Sequence, residues 1–129
     1  EYKLFQQEDS STTCIPDLVV AEANEKRNKV VFVGDMKYYK GPITPAAYYQ
    51  MLAYCHRFSL NTGMIICAHE DKRELTYKSE SESGRLMVSV EPVKLFAEVS
   101  TKARDAMATM SNELDKLTEE IAKQAKKNF

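Results

Sequence analysis

Along this chain the spacing of apolar residues switches between twos and threes-and-fours, and each switch marks a predicted element. Residues 1–13, EYKLFQQEDSSTT, start amphipathic and run into a Ser/Thr cluster, the pattern of a lead-in and a loop. Residues 14–22, CIPDLVVAE, are rich in β-branched side chains, with Pro16 near the start, where a missing N–H is tolerated. They are predicted to form a strand. The polar stretch 23–28, ANEKRN, separates it from a second strand over 29–38, KVVFVGDMKY. So short a link joins the two as an antiparallel hairpin.

KGPITP, from Lys40 to Pro45, is a connector punctuated by Gly41, Pro42 and Pro45. A helix is predicted from Ala46 to about Leu60, because Tyr48, Met51, Leu52, Cys55 and Phe58 or Ser59 recur at helical spacing behind a Thr44-Pro45 start. After a stop at Asn61–Gly63, the wholly apolar run GMIICA (63–68) suits a central buried strand. LTYKS (75–79), the turn SESESG (79–84) and RLMVSV (85–90) predict a second hairpin. Beyond Pro92, Val99, Ala103, Ala106, Met110, Leu114, Leu117 and Ile121 are spaced by threes and fours to the end. Such a helix either covers the sheet with its first half and projects with its second, or breaks and folds back onto the core. A projecting apolar stripe would call for a partner helix and hence a homo-oligomer.

The expected fold is therefore mixed α/β, one domain without repeats. A lead-in spans 1–13, a core of hairpin, helix and further strands spans 14–91, and a helical segment spans 92–129.

Composition narrows this picture. Apolar residues make up 43% and charged residues 29% of the 129, an ordinary balance for a water-exposed domain. No apolar run approaches the roughly 20 residues of a membrane helix, and no charged-then-apolar signal peptide opens the chain. The chain starts at Glu1, so a larger parent chain stays open. Eighteen Lys/Arg against nineteen Asp/Glu leave a net charge of -1, too little for a nucleic-acid coat protein. Any grip on a phosphodiester has to come from local clusters, a divalent metal or another subunit. Three cysteines, odd in number and without C-x-x-C spacing, predict buried free thiols and a reducing, cytoplasmic location. Cys55-His56 and Cys67-x-His69 fit no zinc-finger spacing, so His56 is expected on a helix surface.

The chemistry sits on the first hairpin. Strand alternation places Val31, Val33, Asp35 and Lys37 on one face, with Val30, Phe32, Gly34, Met36 and Tyr38 on the other. If the turn centres near Lys26, Asp17 lies across from Asp35, Val19 from Val33, Ala21 from Val31 and Ile15 from Lys37. Directly opposed carboxylates repel, and Lys37 can neutralise only one of them. A hard divalent ion, Mg²⁺ or Mn²⁺, is the simplest compensation, with the backbone carbonyl of Met36 as a further ligand. Lys37 is then placed to steady an attacking hydroxide or the charge developing on a phosphoryl group. Lys37, Tyr38 and Lys40 make a small basic and aromatic cluster suited to a DNA backbone. Gln50, Tyr54 and Arg57 share a helix stripe beside the apolar one.

Pro16-Asp17, followed eighteen positions on by Asp35-Met36-Lys37, resembles the PD-(D/E)xK restriction-endonuclease pattern. The next stretch, YYKGPITPAAYYQMLAYCHRF, is similar to McrC-type nuclease subunits of modification-dependent restriction systems, with Tyr49-Gln50 and Ala53-Tyr54 fitting their Y-Q-x-x-A-Y helix. The resemblance covers about residues 14–68. It implies a restriction-endonuclease-like core and a Mg²⁺-dependent endonuclease acting on DNA. Asp17 and Asp35 would be metal ligands, Lys37 the catalytic lysine, and Gln50 the group positioning water or phosphate. Tyr54 and Arg57 join Tyr38 and Lys40 as expected DNA contacts. Many members carry another acid on a helix before the first strand, whereas only Glu1 and Glu8 precede it here. The resemblance also implies an NTP-driven partner subunit, since no Walker A motif makes this chain its own motor. Two other classes stay in play: an inactive nuclease-like module that binds DNA or a partner, and an assembly protein working through its C-terminal helix.

Overall fold

In the computed structural model, which describes residues 2–4, 13–23, 28–38, 41–68, 72–78, 85–93 and 103–128, a five-stranded mixed sheet separates two apolar layers. Its strands are β3 (Leu18–Glu22), β4 (Lys29–Lys37), β5 (Thr62–Cys67), β6 (Arg73–Thr76) and β7 (Met87–Pro92), in the spatial order β3-β4-β5-β7-β6. Two short strands, β1 (Tyr2–Lys3) and β2 (Thr13–Cys14), pair separately. Helix α1 (Pro45–Phe58) joins β4 to β5, and α2 (Ala103–Lys127) follows β7. The fold is mixed α/β, as the periodicities predict. No described helix is long and apolar enough to cross a membrane.

The topology follows from strand character. β4, β5 and β7 run parallel, and their middle residues are buried on both faces, as all-apolar runs such as Met64–Cys67 require. Parallel neighbours need a crossover, which α1 supplies between β4 and β5. β3 and β6 close the edges as antiparallel partners of β4 and β7. The second hairpin forms as expected, although its first strand is Arg73–Thr76 rather than 75–79; the predicted turn at 79–84 lies outside the described residues.

Three expectations need correction. The strand expected over 14–22 is two strands. Cys14 pairs with Tyr2 in the small sheet, and β3 begins only at Leu18. Pro16 has no N–H to give a ladder, so the chain changes sheets across Ile15–Asp17. The lead-in thus contributes a strand, and Glu1 and Glu8 lie outside the described residues.

The second correction is a bulge. Leu18, Val19 and Val20 face Gly34, Val33 and Phe32, but Ala21 faces Val30 instead of Val31. Val31 is the extra residue on β4 and turns with Phe32 into the α2-side layer, while Val30 packs with Val33 on the α1 side. Asp35 and Lys37 lie beyond the bulge, where the expected alternation holds.

The third concerns α2. Its second half covers the sheet, with Leu117, Ile121 and Ala125 packed against Phe32, Met64 and Ile66. Met110 and Leu114, in the first half, are 37% and 47% exposed. Residues 94–102, including Val99, lie outside the described residues.

Helix α1 begins and ends where its local chemistry dictates. Thr44 caps it, its side chain accepting from the Ala47 N–H at 3.3 Å, and Pro45 fills the first turn. It ends at Ser59, in the left-handed region (φ 55°), with the Leu60 N–H returning to the Cys55 carbonyl at 2.9 Å. Met51 and Cys55 are fully buried against the sheet, which sets the height of the helix over β4 and β5.

Candidate active site at the end of β4

The β3–β4 ladder carries Leu18 opposite Gly34, so the next step brings Asp17 level with Asp35. Asp17 sits in a bend at the foot of β3, and its Oδ2 accepts the backbone N–H of Met36 at 2.7 Å. That bond swings the carboxylate across onto β4. In an extended strand the N–H and C=O of one residue point to the same side, so the Met36 carbonyl also faces the Asp17 side.

Asp35 is buried, 4% exposed, two residues past Val33 and on the same α1-side face. Lys37, two further on, brings Nζ to 2.5 Å from Asp35 Oδ2. The approach is off the line of a good hydrogen bond, so this buried oxygen is charge-paired without an aligned donor. Lys37 Nζ also donates to Gln50 Oε1 at 2.9 Å. Gln50 Nε2 donates to the Tyr54 hydroxyl at 2.8 Å, and that hydroxyl donates to the Ile15 carbonyl at 3.3 Å. An ammonium can only donate, so Lys37 fixes which end of the Gln50 amide faces it. The chain of bonds ends on the segment that holds Pro16 and Asp17, linking both strands of the site to α1.

Electrostatics leave the site short of positive charge. Burial pushes the Asp35 carboxyl above its ordinary range; the Lys37 ammonium pulls it down, and the neighbouring Asp17 carboxylate pushes it up again. Two acids share one ammonium. Burial and the Asp35 charge raise the Tyr54 phenol, which therefore stays neutral and able to donate.

These atoms suit a small divalent cation. Asp17 and Asp35 converge, one Asp35 oxygen lacks an aligned donor, and the Met36 carbonyl faces the same side. Among the described residues no group of three or more His, Cys, Asp or Glu is placed to hold a metal ion. Beside Lys37 and Gln50, Thr44, Ala46 and Ala47 line an open depression at the start of α1, whose first turn has no acidic residue. The Thr-Pro signal predicts the helix start but not that it opens onto the lysine.

The other expected contacts divide. Tyr38 is 59% exposed on the opposite face from Lys37, its hydroxyl donating to Met36 Sδ at 2.7 Å. Tyr54, expected at the surface, is 4% exposed, with its hydroxyl held between Gln50 and the Ile15 carbonyl. Arg57 lies two turns along α1 from Gln50; its Nε donates to the Lys3 carbonyl at 2.6 Å and its guanidinium covers the Phe58 ring, tying β1 to the helix. Lys40 and His69 lie outside the described residues. All three cysteines are free and buried, and burial pushes the Cys55 thiol up to about 12. Cys55 faces the core while His56 is exposed, so the two do not converge.

No protein-family model, no curated protein and no solved structure matches the chain, which leaves the geometry at the end of β4 as the ground for a functional reading.

Proposed function

We propose that this chain carries a Mg²⁺- or Mn²⁺-dependent endonuclease centre of the PD-(D/E)xK kind, hydrolysing DNA phosphodiester bonds as the nuclease component of a restriction or defence system. The observation that carries the reading is the meeting of Asp17, in the bend before β3, with Asp35 of β4, and the Lys37 ammonium on Asp35. The resemblance of Pro16-Asp17…Asp35-Met36-Lys37 to that motif supports it.

Asp17, Asp35 and the Met36 carbonyl would hold the ion, which when bound supplies Lewis-acid polarisation of a phosphoryl oxygen and acidifies a water. The protein's own groups do the positioning. Lys37 is held between Asp35 and Gln50, so its charge stays fixed where negative charge develops on the phosphoryl group. Gln50 and Tyr54 stop the ammonium from swinging away and hold the Asp17 segment against α1. The start of α1, free of acidic side chains, turns the positive end of the helix dipole toward a neighbouring phosphate.

A net charge of -1 supplies little general attraction for DNA, which favours delivery by an NTP-driven partner subunit or a larger parent chain. The exposed Met110 and Leu114 favour a further helix, from a second copy, against the first half of α2. Three free, buried thiols fit a reducing cytoplasm.

The test is plasmid cleavage with Mg²⁺ or Mn²⁺ against EDTA, with Asp35→Asn and Lys37→Ala alongside. Metal-dependent cleavage is expected from the wild type and from neither variant. Equal nicking by all three would reject the assignment. DNA binding without cleavage would point instead to an inactive nuclease-like module.

A further inference from the structure

On the sheet face away from α1, β7 ends in a buried acid. Glu91 is 7% exposed, two residues past Ser89, whose hydroxyl receives a hydrogen bond from Gln124 of α2 at 2.6 Å. Glu91 therefore points toward α2. Its partner comes from the segment before β6. Lys72 Nζ lies 3.5 Å from Glu91 Oε1 and 3.4 Å from Glu120 Oε1 of α2. One ammonium is shared by a sheet carboxylate and a helix carboxylate. Glu113, Lys116 and Glu119 line the same cleft from α2, and Glu74 acts on Glu91 from β6. Two lysines thus face five glutamates.

Where this group sits along α2 gives it a role. On its C-terminal side the helix is tied down by neutral contacts: Ile121 and Ala125 are packed, and Gln124 bonds Ser89. Asn128 donates to the Val31 carbonyl at 3.0 Å and accepts from Lys29 at 2.9 Å. On its N-terminal side Met110 and Leu114 are exposed, although they continue the seam of Leu117 and Ile121 at the same spacing of three and four. The shared ammonium stands where α2 leaves the sheet.

We propose that Lys72, Glu91 and Glu120 form a charge clasp that sets how far α2 stays docked, and that a proton on Glu91 tightens it. Docking buries Glu91 beside Glu120 and Glu74 with half of one exposed lysine as compensation. Burial raises its carboxyl above the ordinary range; Lys72 opposes the shift and Glu120 reinforces it. A carboxyl that holds its proton more firmly when docked favours docking fully below its ordinary pKa and loses that contribution as pH rises through the docked value. Opening the clasp joins the exposed Met110–Leu114 stretch to Leu117 and Ile121 as one apolar seam.

Hydrogen exchange on the full chain, corrected for the intrinsic effect of pH on amide exchange, tests this over residues 110–121 at mildly acid and mildly alkaline pH. The wild type should open more at the higher pH. Glu91→Gln, which removes the charge without leaving a void, should flatten that dependence. Lys72→Met should speed exchange at the higher pH, because the ionised Glu91 then stays buried beside α2 without its counter-charge. Its defect should shrink in acid and in the double variant with Glu91→Gln, leaving only the part that belongs to the Glu120 pair. A pH dependence undiminished in Glu91→Gln overturns the proposal, whatever Lys72→Met does. So does a Lys72→Met defect that is equal at both pH values.

Discussion

Asp17 Oδ2 accepts the Met36 N–H at 2.7 Å, in the position where the Pro16 carbonyl would sit if the ladder ran two residues further. A side chain thereby replaces a strand, and the replacement is what turns the Asp17 carboxylate toward Asp35.

This bond separates two roles of one residue. Asp17→Asn keeps an oxygen for the Met36 N–H and removes the charge, so stability should hardly change while Mg²⁺-dependent cleavage falls to background. Asp17→Ala should lose cleavage and also about 1–2 kcal/mol of stability, because the Met36 N–H is left without its acceptor. Urea unfolding beside plasmid cleavage distinguishes the two. An active Asp17→Asn protein would remove Asp17 from the metal site.

Tyr54→Phe tests the chain of bonds behind Lys37. The ring remains packed in the core, but Gln50 loses an acceptor and the Ile15 carbonyl a donor. A loss of about 1 kcal/mol in unfolding free energy is expected for the missing hydroxyl. Cleavage should fall through kcat with KM nearly constant, since Tyr54 is buried away from any substrate. A raised KM at unchanged kcat would instead make Tyr54 a DNA contact.

Much of the site was readable as spacing. Asp35 and Lys37 share a face because they stand two positions apart, and the pairing of Leu18 to Val20 with Gly34 to Phe32 is the register that puts Asp17 level with Asp35. The bulge at Val31 was not readable, because Val30 and Val31 are interchangeable in any pattern of apolar positions. Nor was the break at Pro16, a residue that suits the start of a strand as well as a gap between two. The direction of α2 was hidden for a different reason. Its apolar seam has the same period throughout, and which half meets the sheet depends on distant partners such as Ser89 for Gln124 and Val31 for Asn128. Arg57 shares a stripe with Gln50 by spacing, yet the Lys3 carbonyl, brought near by the β1–β2 pair, claims it.

The Asp35 carboxyl, raised first by burial, links metal binding to pH. In the metal-free protein a raised carboxyl contributes stability that is complete below its ordinary pKa and is lost as pH rises through the folded value. A divalent ion binds the ionised form and reverses this trend. The rise in Tm on adding Mg²⁺ should therefore be larger at about pH 7.5 than at about pH 4.5. Asp35→Asn should abolish it at both. Scanning calorimetry with and without Mg²⁺ decides, and a metal-induced rise of equal size at the two pH values would contradict the role given to Asp35.

Gly63 sets the distance between α1 and the sheet, and hence the reach of Gln50 to Lys37. A Cβ at this position would fall 2.6 Å from Cys55 Sγ and would also collide with Met51 Sδ. Both side chains are fully buried, so neither can swing into solvent, and the helix itself has to lift. Gly63→Ala should cost about 1–3 kcal/mol as overpacking. Lifting α1 also draws Gln50 away from a lysine it now holds at 2.9 Å, so cleavage should drop more than the loss of folded protein explains. Removing the Cys55 sulfur relieves one of the two collisions. The double variant Gly63→Ala, Cys55→Ala should therefore be more stable than the sum of the two single effects, the non-additivity expected of residues in contact. Strict additivity in a double-mutant cycle, with cleavage unaffected in Gly63→Ala, would mean that the placement of α1 does not govern the site.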